Sequence, residues 1–297
     1  MDAVLSNTSE LDHTRNPSAI EDLFVLHTPI ETFQLNGRNI DVKRDDLYCR
    51  EMIAPLAKMR GVHLVMNRLK EEGTETVGVF DFKVSKAGVG IAAMANMLEM
   101  RCVECYQHYK AYNGNDLPNQ QRMCQAWGAE LYPVPASRIN INYAMAKRYV
   151  LEQGGYMFPK GIILEETIDS VADEVSHQAE SICNYENIVI CVGSGTIITG
   201  LLKGLIANDL YPNIHAVCCT DSTIHCKRLY RFIHELSVKM KNRIQLNIHP
   251  AEIDYYSECL IACPFPSHPN YDRKAWRWLL KNMKKIEGDI LFWNIGA

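Results

Sequence analysis

The sequence lacks the features that mark membrane, exported and polyanion-binding proteins. No window holds the roughly 18 consecutive apolar residues that a membrane-spanning helix needs, so no membrane partner is expected. The first residues, MDAVLSNTSELDHTRN, contain neither a basic start nor an apolar stretch, so no secretion signal is expected. We therefore predict a cytoplasmic protein, in the host cytoplasm if the chain is viral. The formal net charge of −4 gives no general reason to expect a nucleic-acid partner, although a local basic patch is compatible with one.

Cysteine is present, but without the spacing of a disulfide framework or a metal site. The 11 cysteines are odd in number and lie in apolar runs, which is typical of reduced, buried thiols. One C-x-x-C pair, Cys102 and Cys105, falls in a predicted strand whose alternation turns the two side chains to opposite faces. A zinc site needs a second close pair, and Cys259 and Cys263 fit that poorly. We expect no metal.

What the sequence does contain is an alternation of short apolar runs and longer amphipathic segments. Predicted strands span residues 77–80, 101–106, 130–134, 188–192, 214–218 and 289–293, and a charged strand is predicted at 41–46. Predicted helices span residues 57–72, 88–99, 117–127, 139–152, 165–183, 197–207, 223–239 and 272–285. This order predicts an α/β fold with parallel twisted sheets flanked by helices, in which ligands bind beyond the carboxyl ends of the strands.

One strand-to-helix loop has the composition of a phosphate site. The apolar run 188–192 leads into Gly193, Ser194, Gly195 and Thr196, and a helix follows. Glycines let backbone amides converge on an anion, and the helix dipole adds about half a positive charge. The loop lacks the lysine of a P-loop. A tight turn whose glycines only allow close packing explains the same pattern, so the loop alone leaves phosphate binding open.

Two further loops place reactive residues at helix starts. Lys58 opens the helix 57–72, where positive potential favours the free amine that Schiff-base formation requires; a solvated surface lysine is the alternative. The loop 81–88 leads into a helix of small residues, and its start is suited to hold a carboxylate through Ser85 and backbone amides. A helix that uses glycine and alanine only for close packing is equally compatible with that loop.

Several segments occur in the order found in one enzyme family. The segments TPI (28–30) and KRDDL (43–47) precede Lys58, which stands in a K-x-R motif, and Ser85 and the glycine-rich loop follow. The segments NYDRKAW (270–276) and DILFWNIG (289–296) complete the series. Together they resemble the fold-type II pyridoxal-phosphate enzymes, the tryptophan synthase β-like family. Within it, the chain most resembles the branch of 1-aminocyclopropane-1-carboxylate deaminase and D-cysteine desulfhydrase.

The resemblance implies a cofactor, a site and a domain organisation. The cofactor is pyridoxal 5′-phosphate, bound through Lys58, and Tyr271 is a second catalytic residue. The remaining cofactor contacts implied are Gly193, Ser194, Gly195, Thr196 and Asn294, and the substrate contacts are Ser85, Lys86 and Gly88. A two-domain architecture is implied, with residues 61–167 inserted into a larger domain of 1–60 and 168–297. The cofactor would lie in the cleft between them, and a homodimer is expected.

Two departures from the family concern the cofactor ring. The family has an asparagine after the loop serine, in contact with the cofactor's 3′-oxygen, whereas Lys86, Ala87 and Gly88 follow Ser85 here. Lys83 or Lys86 is the candidate replacement. The threonine that meets the pyridine nitrogen falls on Ile295, which has no hydrogen-bonding side chain. The chain therefore has the frame of the cofactor site but not all the groups that tune the ring.

Three functions are compatible with these features. The main expectation is a lyase or deaminase of the β-elimination type, acting on a small amino acid. The first alternative is a decarboxylase of an amino acid attached to a larger molecule, such as an amino-acid-modified thymine base in bacteriophage DNA. The second alternative is a catalytically silent relative that binds the cofactor. Which bond at the α-carbon breaks depends on its angle to the cofactor ring, which a sequence does not fix.

Overall fold

The computed structural model describes residues 24–35, 37–49, 55–108, 117–135, 137–219 and 245–297. Its strands are β1 (Ile30–Leu35), β2 (Arg38–Arg44), β3 (Thr76–Asp81), β4 (Arg101–His108), β5 (Glu130–Pro135), β6 (Tyr156–Met157), β7 (Asn187–Val192), β8 (Asn213–Cys218), β9 (Leu246–Pro250) and β10 (Ile290–Asn294). Its α-helices are α1 (Met59–Glu71), α2 (Ala87–Met97), α3 (Asn119–Ala126), α4 (Ile139–Glu152), α5 (Glu165–His177), α6 (Ala179–Ile182), α7 (Thr196–Ala207) and α8 (Asp272–Asn282). The predicted helix 223–239 lies outside the described residues.

The strands form two sheets. The larger has the order β1-β2-β10-β7-β8-β9, and the smaller has the order β5-β4-β3-β6. Every pairing is parallel except that of β1 with β2. The larger sheet joins both ends of the chain, because β2 pairs directly with β10. All four strands of the smaller sheet fall within the predicted insertion 61–167, whose boundaries stay a prediction.

The central strands are buried along their whole length, as expected where helices cover both faces of a sheet. Every residue of β3 and of β7 is buried. In β4, Cys102 and Cys105 belong to different hydrophobic clusters, in agreement with side chains that alternate between two faces. Close helix packing adds to this core: a Cβ on Gly200 of α7 would lie 2.6 Å from the carbonyl oxygen of Ile168 in α5. A side chain there would force the two helices apart.

The α/β fold with parallel sheets and flanking helices is confirmed, whereas several element boundaries differ from the prediction. The predicted helix 165–183 is two helices, α5 and α6, and the predicted helix 272–285 ends at Asn282 and continues as a 3₁₀ turn, Met283–Lys285. The strands β1, β6 and β9 were not predicted. They are partly exposed or only two residues long, so they lack the continuous apolar runs that mark buried strands. None of the described helices is long and apolar enough to cross a bilayer.

Candidate active site

Lys58 lies at the start of α1, where its amine is removed from bulk water. Its Nζ donates a hydrogen bond to the carbonyl oxygen of Gly161 over 2.7 Å. Burial lowers the pKa of Lys58 to about 8, against the opposing effects of the Asp81 carboxylate and the Cys191 thiol. The sequence suggested the helix dipole as the cause of a lowered pKa; in the structure the cause is loss of solvent. A neutral, nucleophilic amine is therefore accessible near neutral pH.

A buried ionic network fixes the start of α1. Arg60, two residues after Lys58, donates to Oδ1 of Asp45 over 2.9 and 2.7 Å. Oδ2 of the same Asp45 accepts a hydrogen bond from the Trp293 indole over 3.2 Å. Lys43 on β2 forms a buried ion pair with Glu174 on α5. Arg60 also lies 3.7 Å from the Glu174 carboxylate. The start of α1 is therefore tied to the turn after β2 and, through Asp45 and Glu174, to β10 and α5.

The glycine-rich loop connects β7 to α7 and lies against the Lys58 site. Gly195 has φ +92°, and a Cβ there would meet no atom within 4 Å. The hydroxyls of Ser194 and Thr196 are hydrogen-bonded to each other at 2.9 Å. A Cβ on Gly161, whose carbonyl holds Lys58, would lie 3.3 Å from Cβ of Ser194. The structure thus brings the predicted lysine and the predicted phosphate loop together, with open space at the start of a 12-residue helix.

Tyr271 faces this loop from the start of α8. A Cβ on Gly193 would lie 3.4 Å from Cε1 of Tyr271, so the glycine allows the ring to approach. The hydroxyl of Tyr271 is hydrogen-bonded to the hydroxyl of Tyr255 over 2.6 Å. Burial, followed by the influence of Tyr255, raises the pKa of Tyr271 well above its ordinary value. Tyr271 is therefore a neutral phenol that can donate a hydrogen bond but gives up its proton only with difficulty.

The end of β10 carries Asn294 and Ile295. Asn294 is fully buried, and its Nδ2 donates to the carbonyl oxygen of Pro266 over 3.0 Å. No described residue forms a hydrogen bond with its Oδ1. The Ile295 amide donates to Oδ1 of Asp272 over 3.0 Å. Asp272 is 1% exposed and has no cation within ion-pair distance among the described residues. Burial raises the pKa of Asp272 well above its ordinary value.

Asp272 is a candidate that sequence reasoning missed. It stands next to Tyr271 in the segment 270–276, whereas the sequence indicates only Ile295, which has no polar side chain, at the place of the ring-nitrogen contact. The structure shows that a carboxyl group from α8 lies beside the backbone of Ile295. A buried carboxyl group at that place is suited to pair with a ring nitrogen. The signal in the sequence was an acid at the start of a helix in a segment already singled out.

The loop between β3 and α2 holds the predicted substrate contacts Ser85, Lys86 and Gly88. The Gly88 amide donates to Oδ2 of Asp81 over 2.6 Å, and the Phe82 amide donates to Oδ1 over 2.9 Å. The Ser85 hydroxyl also hydrogen-bonds to this carboxylate. Lys86 Nζ contacts the main-chain oxygen of Ala297. The donors expected to bind the substrate are therefore engaged by groups of the chain itself.

The two lysines proposed to replace the family's asparagine lie in different surroundings. Lys83 is exposed, and its Nζ lies 4.6 Å from the ring centroid of Tyr256. Lys86 is half-buried. Burial, and then the charge of Arg273, lowers the pKa of Lys86. Lys86 is thus the better placed of the two for an interior anionic group, and its role stays a prediction.

A second buried carboxyl group, Glu104 of β4, lies behind the same loop. Its Oε1 accepts a hydrogen bond from Gln121 over 3.2 Å, and its Oε2 has no hydrogen-bond partner within the described part of the chain. A Cβ on Gly88 would lie 2.6 Å from Glu104 Oε2 and 3.1 Å from Asp81 Oδ2. Gly88 therefore separates two buried carboxyl groups, and a side chain at this position would collide with both. Neither acid was predicted as part of the site.

The residues present fit pyridoxal phosphate. Lys58 offers an amine of lowered pKa to an aldehyde, and the loop 193–196 offers glycine amides and two hydroxyls to a phosphate. Asp272 offers a buried carboxyl group with no cationic partner among the residues that the structure describes. This set of groups, at the ends of strands in two mainly parallel sheets, defines the class of pyridoxal-phosphate enzymes with an α/β fold.

Comparison with known proteins gives the family. Residues 26–256 match the family described as pyridoxal-phosphate dependent enzyme, and the chain belongs to it. A relative from Pseudomonas phage M6, named glycyl-dTMP PLP-dependent decarboxylase, is 32% identical over 92% of this chain and 100% of its own length. The protein is therefore an enzyme whose cofactor is pyridoxal phosphate.

Solved structures show the same fold at low sequence identity. A homologue of ACC deaminase superposes with a TM-score of 0.73 at 19% identity, over 92% of this chain and 90% of its own. A fungal L-serine ammonia-lyase from Rhizomucor miehei superposes with a TM-score of 0.64 at 14% identity, over 93% of this chain and 95% of its own. The likeness to fold-type II enzymes that the sequence motifs indicated is confirmed.

Proposed function

We propose that this enzyme is a decarboxylase that removes the α-carboxylate of an amino acid carried on a thymidylate. The observation that supports this most is the full-length similarity, at 32% identity, to a protein named for that reaction on glycyl-dTMP. The ACC deaminase homologue and the fungal L-serine ammonia-lyase are 19% and 14% identical and support the fold alone. We therefore place decarboxylation ahead of β-elimination on a small amino acid, which was the main expectation from the sequence.

The reaction replaces a carboxylate by a hydrogen. The bond from Cα to the carboxylate carbon breaks, its electron pair remains at Cα, carbon dioxide leaves, and one proton is added at Cα. Bound pyridoxal phosphate supplies the electron sink for that pair. The protein must hold the phosphate, orient the ring, exclude water and deliver the proton.

The residues of the site divide these tasks. Gly193, Ser194, Gly195 and Thr196 hold the phosphate at the start of α7. Asp272 and the end of β10 orient the ring. Lys58 Nζ holds the proton that Cα receives, because a pKa of about 8 leaves most of this amine protonated at neutral pH. The Tyr271 phenol is a neutral hydrogen-bond donor on the side of Gly193.

The test compares two substrate classes with one enzyme preparation. Thymidylate bearing a glycyl group with a labelled carboxylate should yield labelled carbon dioxide and the corresponding amine. Free D-cysteine, L-serine and aminocyclopropane carboxylate should yield neither ammonia nor keto acid. Ammonia from the small amino acids without carbon dioxide from the nucleotide would instead establish the elimination reaction. Bound cofactor without turnover of either class would indicate a silent relative.

The assembly and location of the enzyme belong to the same proposal. We expect a homodimer, as the family resemblance implies, and action in the cytoplasm, of the host cell if the chain is viral. Light scattering of the purified protein tests the first expectation. A mass near that of one 33.8 kDa chain would contradict it.

A further inference from the structure

The start of α2 has the features of a carboxylate-binding position, and an internal carboxylate uses them. The Gly88 amide, the Phe82 amide and the Ser85 hydroxyl all hydrogen-bond to Asp81. Asp81 is the last residue of β3, so it reaches the helix start from the strand that leads into it. Three donors that converge on one carboxylate are the arrangement that the sequence predicted for the substrate.

Asp81 and its neighbour Glu104 differ in the number of hydrogen bonds that stabilise their charged forms. Burial raises the pKa of Asp81, but bonds from Ser85, Gly88 and Phe82 oppose this and favour its carboxylate form. Burial, followed by the charge of Asp81, raises the pKa of Glu104 well above its ordinary value. Among the described residues, one oxygen of Glu104 has no hydrogen-bond partner, which is costly for an anion. The hydrogen bonds therefore favour the carboxylate form at Asp81 more than at Glu104.

We propose that Asp81 occupies the anion-binding position at the start of α2 and thereby denies it to the substrate's α-carboxylate, which favours loss of that carboxylate as carbon dioxide. This inference rests on the proposed decarboxylase function. It assigns Asp81 as a residue that determines reaction specificity, and it assigns Ser85 as the partner of Asp81 rather than of the substrate.

Charge explains why this arrangement suits decarboxylation. A substrate carboxylate held by three hydrogen bonds is stabilised as an anion, and that stabilisation is lost when neutral carbon dioxide forms. A substrate carboxylate close to Asp81 is instead repelled, and the repulsion ends when the negative charge leaves the carboxylate. An enzyme that must retain the carboxylate gains from the first arrangement. An enzyme that must expel it gains from the second.

Asp81 also faces the amine that handles the proton. Its negative charge raises the pKa of Lys58, against the larger effect of burial. The ammonium form of Lys58 is the one that can give a proton to Cα after carbon dioxide has left. In an elimination the same lysine must instead remove a proton from Cα, for which the neutral form is required. The carboxylate at position 81 thus favours decarboxylation at both steps.

The test measures binding in the borohydride-reduced holoenzyme, which cannot turn over. Calorimetry compares glycyl-thymidylate with the amine left after its decarboxylation. In the unmodified sequence the amine should bind at least as tightly as the carboxylate ligand. In Asp81→Asn the affinity for the carboxylate ligand should rise about tenfold relative to the affinity for the amine, because the repulsion between the two carboxylates is removed. Glu75→Gln, which removes an exposed acid just before β3, should leave the ratio unchanged.

Turnover supplies a second measurement. In unreduced Asp81→Asn, kcat for carbon dioxide release should fall about tenfold or more, with a fall in KM, which is the signature of lost ground-state repulsion. An unchanged ratio of ligand affinities in Asp81→Asn would overturn the inference. If no variant and no substrate gives carbon dioxide, the proposed function fails, and the binding ratio still decides the role of Asp81.

Ser85→Ala provides the decisive comparison if Asp81→Asn does not fold. We assign the Ser85 hydroxyl as a hydrogen-bond donor to Asp81. Its removal should therefore change the affinity for the carboxylate ligand and the affinity for the amine by factors that agree within about threefold. If Ser85 bound the substrate instead, the carboxylate ligand alone would weaken, by about tenfold, since hydrogen bonds to charged groups are the stronger ones. That second outcome would overturn the inference.

Discussion

At the scale of single residues, the lowered pKa of Lys58 sets the pH at which the enzyme takes up its cofactor. Only the neutral amine attacks an aldehyde, and burial lowers this pKa to about 8. The rate of cofactor capture by the apoenzyme should rise about tenfold per pH unit below this value and level off above it. Stopped-flow absorbance of the lysine-bound cofactor, recorded against pH, measures this profile. A midpoint of the pH profile near the pKa of a free lysine would contradict this expectation.

Three variants separate Lys58 from its neighbours in the same assay. Lys58→Ala should show no absorbance band that borohydride fixes to the protein, whereas Lys86→Ala should keep the band. Asp81→Asn should move the midpoint of capture to lower pH, because the carboxylate raises the pKa of Lys58. An unchanged spectrum in Lys58→Ala would remove the central assignment of the site.

Asp272 is expected to act on the cofactor ring without holding the cofactor in place. Asp272→Asn keeps the side-chain shape and its hydrogen bond from the Ile295 amide, but it removes the acid. We expect turnover to fall by about 10²-fold or more, a magnitude typical for loss of a group that tunes a reacting centre. The band of the lysine-bound cofactor should persist with a shifted maximum. If the spectrum and the turnover are both unchanged, Asp272 only binds the backbone after β10 and does not act on the cofactor ring.

At the scale of elements, helix α5 offers a matched pair of ionic contacts with opposite burial. Glu174 and its partner Lys43 are both fully buried, whereas Asp169 and its partner Lys203 are both about half exposed. Glu174→Gln leaves Lys43 buried beside weaker partners and should lower the free energy of unfolding by about 3–5 kcal/mol. Asp169→Asn should cost at most about 1 kcal/mol, because water screens the exposed pair. Urea unfolding monitored by tryptophan fluorescence measures both.

The same network distinguishes a role in stability from a role in catalysis. Lys58 lies two residues before Arg60, so loosening the start of α1 should also slow cofactor capture in Glu174→Gln. The Asp169→Asn variant should capture the cofactor at the normal rate. Equal losses of stability in the two variants would show that burial does not decide the strength of these contacts.

The parts of the site that follow from local sequence were the predictable ones. The loop 193–196 and Lys58 could be recognised because a strand, glycines and a helix start are adjacent along the chain. Asp81, Glu104 and Asp272 were missed because their roles depend on distances between separate elements. Asp81 precedes Gly88 by seven residues, yet nothing in the sequence shows that this carboxylate fills the position expected for a substrate. The edge strands β1 and β9 were missed because half-exposed residues weaken the apolar pattern.

At the scale of the whole molecule, charge is unevenly distributed along a chain of formal net charge −4. Residues 220–244 contain six basic side chains and only two acidic ones. This segment follows the carboxyl end of β8, the same edge of the sheet from which the glycine-rich loop begins. If the thymidylate substrate is a residue of DNA, this segment supplies basic side chains that can contribute to binding the polymer.

This distribution predicts a salt dependence that differs between two forms of the substrate. Binding of duplex DNA that contains the modified thymidylate should weaken about tenfold or more between about 50 and 200 mM salt, because counterions are released on binding. Binding of the free nucleotide should change by less than about threefold over the same range. The triple substitution Lys227→Gln, Arg228→Gln and Arg231→Gln, which removes the three basic residues nearest in sequence to the end of β8, should weaken DNA binding and flatten its salt dependence, while nucleotide binding stays the same. As a control, Lys284→Gln combined with Lys285→Gln removes two lysines that precede the start of β10, at the amino end of the strand. This double substitution should change neither DNA binding nor nucleotide binding. DNA binding that is insensitive to salt and to the triple substitution would place the substrate outside the polymer, as a free nucleotide.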